Sequence, residues 1–369
     1  MSGGVDSSVA ALLLCRQGYE ATGTTCKLFG NDDLEGSACG IDGGNPDSGI
    51  VGESTCCSSR DIEDARQVAF SLGMDYFVFN YQGLFGREVI DRFCEEYLCG
   101  RTPNPCIDCN RYVKFDALQK RRRQLDFDYV ATGHYARRTY DEKTGRYLLK
   151  CGLDPKKDQS YVLFHLTQDT LEHMLFPLGE LTKPEVRELA REAEFDNAGK
   201  SESQDICFVP DGDYLAFLER RRGCPYEAGA ILTPDGTRVG THRGAAGYTI
   251  GQRKGLGVAL REPMYVCAKD MAANTVTLGP QEMLMAPSCT VVDWNWVWPQ
   301  RCPQDEPLAC AVKTHYRQRE QPARLTALPD GRVRVDFDEP QRAMTPGQAA
   351  VAYVGDQVVG GGTIESTGA

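Results

Sequence analysis

The sequence has no long apolar run, only five histidines and no P-loop motif. Across its 369 residues, no uninterrupted apolar stretch approaches the roughly 20 residues that a transmembrane helix requires. Its first residues, Met1–Gly4, are neither basic nor strongly apolar, so we expect no secretory signal peptide and a cytoplasmic protein. The Walker A pattern, Gly-x4-Gly-Lys-Ser/Thr, is absent. These absences argue against a membrane-spanning protein and against a P-loop NTPase.

The composition is that of a globular protein. Hydrophobic residues make up 41% of the chain and charged residues 25%, which excludes a disordered or collagen-like chain. The length predicts two or three domains, since one domain takes roughly 100–200 residues. The chain has 16 cysteines, but secreted disulfide scaffolds are short. We therefore expect most thiols to be reduced and packed in cores, and a few to be catalytic or to bind a metal.

Charge is unevenly distributed along the chain. The total of 41 basic and 52 acidic residues gives a net charge of −11, which argues against a general nucleic-acid-binding protein. Residues 101–150, however, carry 12 basic and 6 acidic side chains, a net charge of +6. A run such as Lys120–Arg123 often forms only a solvated helix face, but this basic segment also contains the most unusual motif of the chain.

Alternating helices and strands predict a parallel α/β domain in the first half of the chain. Two short apolar segments, Tyr76–Phe79 and Tyr129–Thr132, have the character of strands. The segments with helical periodicity are Asp61–Leu72, Leu84–Leu98, Phe115–Leu125 and Lys183–Ala193. Residues 30–54, rich in Gly, Asp, Ser and Asn, are predicted to be a flexible insertion. From about residue 225, short β-rich runs between Gly and Pro turns predict small β domains or a barrel.

The segment Ser2-Gly3-Gly4-Val5-Asp6-Ser7-Ser8 is a candidate phosphate-binding loop in front of a helix. Glycines let the backbone approach a phosphate, while helix N-terminal amides and serine hydroxyls supply donors. We expect Asp6 to help hold Mg²⁺. The heptapeptide resembles the loop of the ATP-pyrophosphatase (N-type) superfamily, whose members adenylate an oxygen and release pyrophosphate. In that superfamily an apolar strand precedes the loop, so we expect the first strand to lie upstream of Met1.

A second motif contains two cysteines in the basic segment. It is Thr102-Pro103-Asn104-Pro105-Cys106-Ile107-Asp108-Cys109-Asn110, in which the prolines on either side of Asn104 predict a rigid loop that suits holding a reactive group. By itself, Cys-x-x-Cys is compatible with a redox pair, half of a metal site or coincidence. No second Cys-x-x-Cys and no histidine pair follows, which weakens a structural zinc site. A third cysteine, Cys207, follows the polar segment Ser201–Asp205.

Together these motifs resemble the tRNA-specific 2-thiouridylases across nearly the whole chain. The order and spacing of further short motifs over residues 2–362 carry the resemblance. They are Ala131–Arg137, Lys157–Tyr161, Gly251–Gly257, Tyr316–Gln318 and Thr345–Gln348. The resemblance implies a parallel-sheet ATP-pyrophosphatase domain of the adenine nucleotide alpha hydrolase-like fold at residues 1–205. A small β-rich tRNA-binding domain at 206–280 and a C-terminal β-barrel at 281–369 would follow.

The implied activity is the replacement of the C2 oxygen of the wobble uridine of tRNA with sulfur. ATP would adenylate that oxygen, since oxide could not leave unaided. The substrates would be tRNAs of the Lys, Glu and Gln type, and the sulfur would come from a cysteine desulfurase or a sulfur-relay protein. By motif, Cys207 would carry the persulfide and Cys109 would be the nucleophile. The second thiolate would release the sulfur as sulfide or close a disulfide bond as the product leaves.

The resemblance also implies the binding residues. Residues implied to border ATP are Ser2, Gly3, Gly4, Val5, Asp6, Ser7, Ser8, Cys26 and Gly133. Asn104, Pro105 and Cys106 would border the target base. Further residues implied to contact or lie near the tRNA are His134, Lys157, Asp158, Gln159, His315, Tyr316 and Gln348.

One position departs from the family pattern. Many relatives have an aspartate, proposed as an acid/base group, where this chain has Cys106. A thiol with a pKa near 8.5 is not a resting carboxylate. Either Asp108 or water takes the acid/base role of that aspartate, or the acid/base role is dispensable. As a further alternative, Cys106, Cys109 and Cys207 hold a [4Fe–4S] cluster with one iron open to sulfide.

Two other classes of function remain as alternatives. Another ATP-pyrophosphatase acting on a small molecule would need neither the cysteine motif nor the basic segment. A non-catalytic RNA- or metal-binding protein would keep the loop without turnover.

The remaining cysteines and aromatic residues have structural interpretations. We expect core thiols at Cys15, Cys94, Cys151, Cys267 and Cys310, a structural role for Cys56-Cys57, surface or hydrogen-bonded rings at His165 and His173, and packing against the barrel for Trp294, Trp296 and Trp298.

Overall fold

The computed structural model describes residues 1–29, 59–200, 206–258, 262–298 and 306–368. Two compact units make up the chain. The first comprises Met1–Ile90 and Cys106–Asp213, and the second comprises Asp91–Pro105 and Tyr214–Ala369. The predicted insertion at 30–54 and the pair Cys56-Cys57 lie outside the described residues.

The first unit has an α/β core of helices packed around short parallel strand pairs, which confirms the predicted fold class. Strand β1 (Gly23–Lys27) pairs in parallel with β2 (Tyr76–Asn80), and β3 (Val130–Ala131) pairs in parallel with β6 (Met174–Leu175). Along the chain between β3 and β6, β4 (Ala136–Asp141) and β5 (Arg146–Cys151) form an antiparallel hairpin.

Helix α1 (Val5–Arg16) lies at the centre of this core. Its apolar side chains pack with those of α2 (Ser59–Ser71) and α8 (Lys183–Glu192). The buried members of the cluster include Val5, Val9, Leu12, Val68, Val186 and Ala190. Thr182 begins α8 with a reciprocal capping box that involves Glu185, which explains the sharp start of the predicted Lys183–Ala193 helix. Earlier in the chain than α8, α7 (Gln168–Glu172) is a short helix capped by Thr167.

Two helical runs contain π-helical segments. The first consists of α3 (Gln82–Phe85), a π segment at Gly86–Asp91 and α4 (Arg92–Leu98). The second consists of α5 (Pro105–Asp108), a π segment at Cys109–Ala117 and α6 (Leu118–Gln124). The second run therefore begins ten residues earlier than the predicted Phe115. Proline is tolerated at a first helical position, so Pro105 can open this helix, whereas the sequence motif indicated a loop.

The second unit contains a small sheet and a barrel. Helix α9 (Tyr214–Arg222) precedes a four-stranded sheet with the order β8-β7-β10-β9. Its strands are β7 (Gly229–Leu232), β8 (Arg238–His242), β9 (Tyr265–Asp270) and β10 (Thr275–Gly279). Aromatic contacts join the inserted segment 91–105 to α9, with the ring centre of Phe93 lying 6.3 Å from that of Tyr214 and 6.1 Å from that of Phe217.

Six strands close into the C-terminal barrel that the sequence predicted. They pair in the cyclic order β11-β14-β13-β12-β15-β16, and β16 pairs back with β11. Their bounds are β11 (Met285–Trp296), β12 (Leu308–Lys313), β13 (Gln321–Ala327), β14 (Val333–Arg342), β15 (Ala349–Val354) and β16 (Gln357–Gly368). Trp294, Trp296 and Trp298 pack against the barrel core, as expected.

Within the described residues, no helix is both long and apolar enough to cross a membrane.

Candidate active site

The backbone of the phosphate loop is fixed by a glycine and by two distant side chains. Gly3 has a φ of +68°, and a Cβ at this position would collide with the carbonyl oxygen of Asp61. The carbonyl oxygen of Gly3 accepts hydrogen bonds from Asn197 Nδ2 at 3.0 Å and from Lys200 Nζ at 3.3 Å. Only glycine fits this approach without strain, so the loop has one defined backbone conformation.

The serine hydroxyls close the loop onto the start of α1. Ser7 Oγ and Ser8 Oγ donate to the carbonyl oxygen of Gly4 at 2.9 and 3.1 Å, and the amide of Ser2 donates to Ser7 Oγ at 3.0 Å. Gly4 occupies the N-cap position, and no side chain of the described residues caps α1 there. The first amides of α1 are thus not used by a capping side chain, which suits the binding of a phosphate anion.

Asp6 is held by two residues that sequence reasoning did not single out. Its Oδ1 accepts a hydrogen bond from the hydroxyl of Tyr135 and one from Lys183 Nζ, both at 2.7 Å. The Lys183 side chain is 9% exposed and that of Asp6 is 33% exposed. Tyr135 lies in a motif that the sequence did mark, whereas only its position at the start of a capped helix could have drawn attention to Lys183. The expected role of Asp6 toward Mg²⁺ remains a prediction.

Gly133 lies against the phosphate loop, while its expected position near ATP stays a prediction. A Cβ at Gly133 would be 2.9 Å from the carbonyl carbon of Asp6 and 2.9 Å from the amide nitrogen of Ser7. Cys26 lies on β1 opposite Phe79, and burial raises the pKa of its thiol. This thiol is therefore protonated at neutral pH and is not primed as a nucleophile.

A lysine with two carboxylate partners supports the loop on its outer side. Lys200 Nζ donates to Asp61 Oδ1 at 2.5 Å and to Asp64 Oδ2 at 2.7 Å. Burial favours the neutral amine, but the hydrogen bonds to Asp61 and Asp64 outweigh it and raise the pKa of Lys200. The ammonium group therefore joins the start of α2 to the backbone of Gly3.

The three candidate cysteines differ in exposure and setting. Cys106 is exposed in α5, Cys109 is buried as the first residue of the π segment, and Cys207 is half-buried. Phe208, beside Cys207, is buried with its ring centre 5.8 Å from that of Phe85. The described residues, which include all three cysteines, contain no group of three or more His, Cys, Asp or Glu side chains arranged to hold a metal ion. The [4Fe–4S] alternative therefore gains no support from this geometry.

Two buried histidines pack near Phe115, a residue of the π segment. The rings of His134 and His165 are each 5.7 Å from the Phe115 ring. Burial lowers the pKa of both imidazoles to about 3, so both are neutral at physiological pH. His134 Nδ1 is 2.9 Å from Thr132 Oγ1, but neither nitrogen of His165 has a hydrogen-bond partner among the described residues.

The expected interpretation of His165 as a surface or hydrogen-bonded ring is therefore wrong, because its neighbours are aromatic and its ring is 9% exposed. His173 does bond to the carbonyl oxygen of Asp128 at 3.0 Å, as expected. The expected core thiols at Cys15, Cys94, Cys151, Cys267 and Cys310 are half-buried rather than fully buried. Burial nonetheless raises the pKa of Cys94 to about 11, and it raises the pKa of the buried Cys289 to about 12.

Several residues expected to contact tRNA make internal hydrogen bonds. Asp158 Oδ1 accepts from the amides of Gly152 and Ser160, and Gln159 Oε1 accepts from the amide of Tyr135 at 3.0 Å. These bonds fix the shape of the segment that presents Lys157. Sequence reasoning assigned the segment to RNA binding and did not foresee this structural role.

In the second unit, Gln348 Nε2 donates to the carbonyl oxygen of Thr102 at 2.7 Å. The amide of Thr102 donates to the carbonyl oxygen of Pro346 at 2.9 Å, so both backbone groups of Thr102 are held by the same turn. Asn104 and Pro105 follow directly along the chain. His315 and Tyr316 are both exposed, and partial desolvation of the His315 imidazole lowers its pKa.

Comparison with known proteins extends over the whole chain. Three family models match, described as a tRNA methyl transferase HUP domain at residues 1–211, a tRNA methyl transferase PRC-barrel domain at 216–280 and an aminomethyltransferase beta-barrel domain at 287–364. The fold and the phosphate loop thus define a HUP-domain protein with two appended β domains.

Relatives give the particular family. The tRNA-specific 2-thiouridylase MnmA of Carboxydothermus hydrogenoformans is 48% identical over 367 residues, covering 99% of this chain and 96% of the relative. The proteins of the same name from Moorella thermoacetica and Symbiobacterium thermophilum are 49% and 48% identical, with 98% and 90% of their lengths covered and 99% of this chain in each case. The chain belongs to the tRNA-specific 2-thiouridylase family.

Proposed function

We propose that this protein replaces the C2 oxygen of the wobble uridine of tRNA with sulfur, at the expense of ATP. The observation that carries the proposal is that one unit contains both a braced phosphate loop and the two cysteines of the thiol motifs. The loop suits a nucleotide phosphate, since Gly3 and the start of α1 present backbone donors. The matched family models are described by methyl transfer, whereas the relatives are named for thiolation. Two cysteine motifs in the same unit as an ATP-type loop favour thiolation.

The first step activates the uridine. Its C2 oxygen attacks the α-phosphate of ATP, the bond to the β-phosphate breaks and pyrophosphate leaves. The backbone amides at Gly3 and the first turn of α1 would stabilise the charge on the phosphates. Mg²⁺ bound with ATP would neutralise further phosphate charge. Asp6 is the loop's carboxylate and the residue best suited to hold it, because carboxylate oxygen is a preferred magnesium ligand.

The second step transfers sulfur. Cys207 receives a persulfide from a cysteine desulfurase or a sulfur-relay protein. The thiolate of Cys109 attacks Sγ of Cys207, and the S–S bond of the persulfide breaks. The outer sulfur keeps the electron pair and ends on C2 as AMP leaves. A disulfide between Cys109 and Cys207 remains, and an external thiol must reduce it before the next cycle. The same bonds form and break whether the sulfur leaves Cys207 before or after it bonds to C2.

The test is reconstitution with unmodified tRNA of the Lys, Glu or Gln type, ATP, cysteine and a cysteine desulfurase. We expect Cys109→Ser and Cys207→Ser each to reduce 2-thiouridine formation by more than about a thousandfold, because the two thiols act as one unit. Cys224→Ser, at an exposed cysteine of the second unit, is the matched control and should retain wild-type turnover.

Three results would contradict the proposal. They are the absence of 2-thiouridine formation by the wild-type protein, full activity of either cysteine variant, and formation of AMP from ATP and a small molecule without tRNA. The last result would favour a small-molecule ATP-pyrophosphatase. Anaerobic purification distinguishes the persulfide route from the cluster route. Near-stoichiometric iron and acid-labile sulfide with iron-dependent activity would establish the cluster.

A further inference from the structure

A basic cavity lies in the first unit, beside helix α8. It has a volume of about 640 Å³ and opens between the turn at residues 154–157 and one face of α8. Three of its cationic side chains are spaced four residues apart on that helix, so they share one face. The cations that line the cavity are Lys156, Lys157, Lys183, Arg187 and Arg191.

A buried carboxylate holds the two walls of the cavity together. Asp154 is 8% exposed, and its Oδ1 accepts a hydrogen bond from the amide of Lys156 at 2.9 Å. Its Oδ2 accepts one from the amide of Lys183 at 3.0 Å. The turn that presents Lys156 and Lys157 is therefore fixed against the first residue of α8, and the cavity is part of the folded framework rather than a gap between mobile side chains.

The acidic residues of the lining have internal partners. Glu185 accepts hydrogen bonds from the amide and the hydroxyl of Thr182, both at 2.7 Å, as part of the capping box. Glu188 pairs with Arg191 at 2.6 Å, and both side chains are about 60% exposed. An ion pair with that exposure contributes little and exchanges readily for another anion. Five cations against three carboxylates leave the lining net positive.

We propose that this cavity binds phosphates of the tRNA backbone, an inference that rests on the proposed function. Lysine and arginine side chains are the usual partners of backbone phosphates. A chain with a net charge of −11 needs local positive surfaces to hold a polyanion, and residues 151–369 as a whole are acidic, which makes this basic wall an exception within them. Lys157 belongs to a motif that the family resemblance connects with tRNA. The proposed contact extends to the neighbouring Lys156 and, on α8, to Arg187 and Arg191.

Lys183 is left out of the test because it pairs with Asp6 of the phosphate loop. The test variant is the double substitution Lys156→Gln/Arg187→Gln. The matched control removes the same charge from exposed positions of the barrel, Arg324→Gln/Arg334→Gln. Filter binding of unmodified tRNA is measured at several salt concentrations, and the binding of a fluorescent ATP analogue is measured without tRNA.

We expect the cavity variant to bind tRNA about 5- to 30-fold more weakly. The slope of log affinity against log salt concentration should be shallower by about 1 to 2, because binding with fewer phosphate contacts releases fewer counterions. In thiolation assays KM for tRNA should rise while kcat stays unchanged. Binding of the ATP analogue should equal that of the wild type, and the control should change tRNA affinity by less than about twofold.

Two results would overturn the inference while leaving the proposed function intact. One is equal tRNA affinity and equal salt slope for the cavity variant and the wild type. The other is a loss of ATP-analogue binding with unchanged tRNA affinity, which would assign the cavity to nucleotide or pyrophosphate. A wild-type protein that forms no 2-thiouridine would instead refute the proposed function.

Discussion

The phosphate loop and the cysteine segment, Cys106–Cys109, lie in the same unit but are supported in different ways. The loop at Gly3–Ser8 is braced by side chains from far along the chain, namely Tyr135, Lys183, Asn197 and Lys200. The cysteine segment forms its own helix, in which Cys106 is exposed and Cys109 is buried at the start of a π segment.

This difference matches what the two regions would have to do. Phosphate binding requires donors whose positions do not change during the reaction, and the bracing supplies such rigidity. Sulfur transfer requires thiols that meet a donor protein and a nucleobase in turn, so access of these partners to the half-buried Cys207 and the buried Cys109 matters more there than rigidity. The following predictions test this contrast, beginning with the largest expected effect.

Gly3→Ala should affect the phosphate loop most strongly. The new Cβ would collide with the carbonyl oxygen of Asp61, so the loop backbone must move. A displacement of about 1 Å at a catalytic site can cost about 100-fold, and we expect a loss of that order in affinity for an ATP analogue. Alkylation of the exposed Cys106 should proceed at the wild-type rate.

Gly73→Ala is the matched control, since Gly73 has the same φ of +68° but nothing within 4 Å of the added Cβ. It should cost stability without affecting nucleotide binding. Equal ATP affinity in the two variants would contradict the bracing of the loop by Asp61.

Lys200→Met should destabilise the first unit by about 1–3 kcal/mol, because Asp61 and Asp64 would lose their cationic partner. The pKa of Lys200 is raised in the folded state, so its contribution is complete below the unfolded value of 10.5 and is lost as pH rises through the folded value. The stability difference between wild type and variant should therefore be constant near neutral pH and should shrink above about pH 10.5. Denaturant unfolding across this range measures it.

Arg66→Met provides the comparison, because it removes an exposed ion pair with Glu63 on the same helix, α2. It should cost less than about 0.5 kcal/mol. A similar loss for both variants would show that the loop gains no special support from Lys200.

Cys106→Ser should have the smallest effect. On the persulfide route this exposed thiol neither carries nor attacks sulfur, so we expect thiolation to change by less than about threefold, as for ordinary surface substitutions. On the cluster route the same change removes an iron ligand and would abolish activity. Rates of 2-thiouridine formation, measured beside Cys224→Ser, decide between these two outcomes.

Local patterns predicted a large part of the fold. The segments Asp61–Leu72, Tyr76–Phe79 and Lys183–Ala193 form the expected elements, since apolar periodicity and capping residues act over one or two turns. The start of the helix at Pro105 was missed, because a proline-rich motif is compatible with a loop as well as with a first helical turn. The setting of His165 was also missed, since burial of a single ring depends on neighbours that no local pattern specifies.

The sequence by itself determined the family. The glycine-serine loop, the cysteine motifs and the order of the shorter motifs identified it, because residue types and their spacing are legible without the fold. Only the tertiary structure decided what holds them. Tyr135, Lys183, Asn197 and Lys200 lie between 129 and 197 residues from the loop atoms that they bind, and their partners follow from the packing of α1 against α2 and α8. Contacts at such separations leave no periodic trace in the sequence, so folding alone brings the braces to the loop.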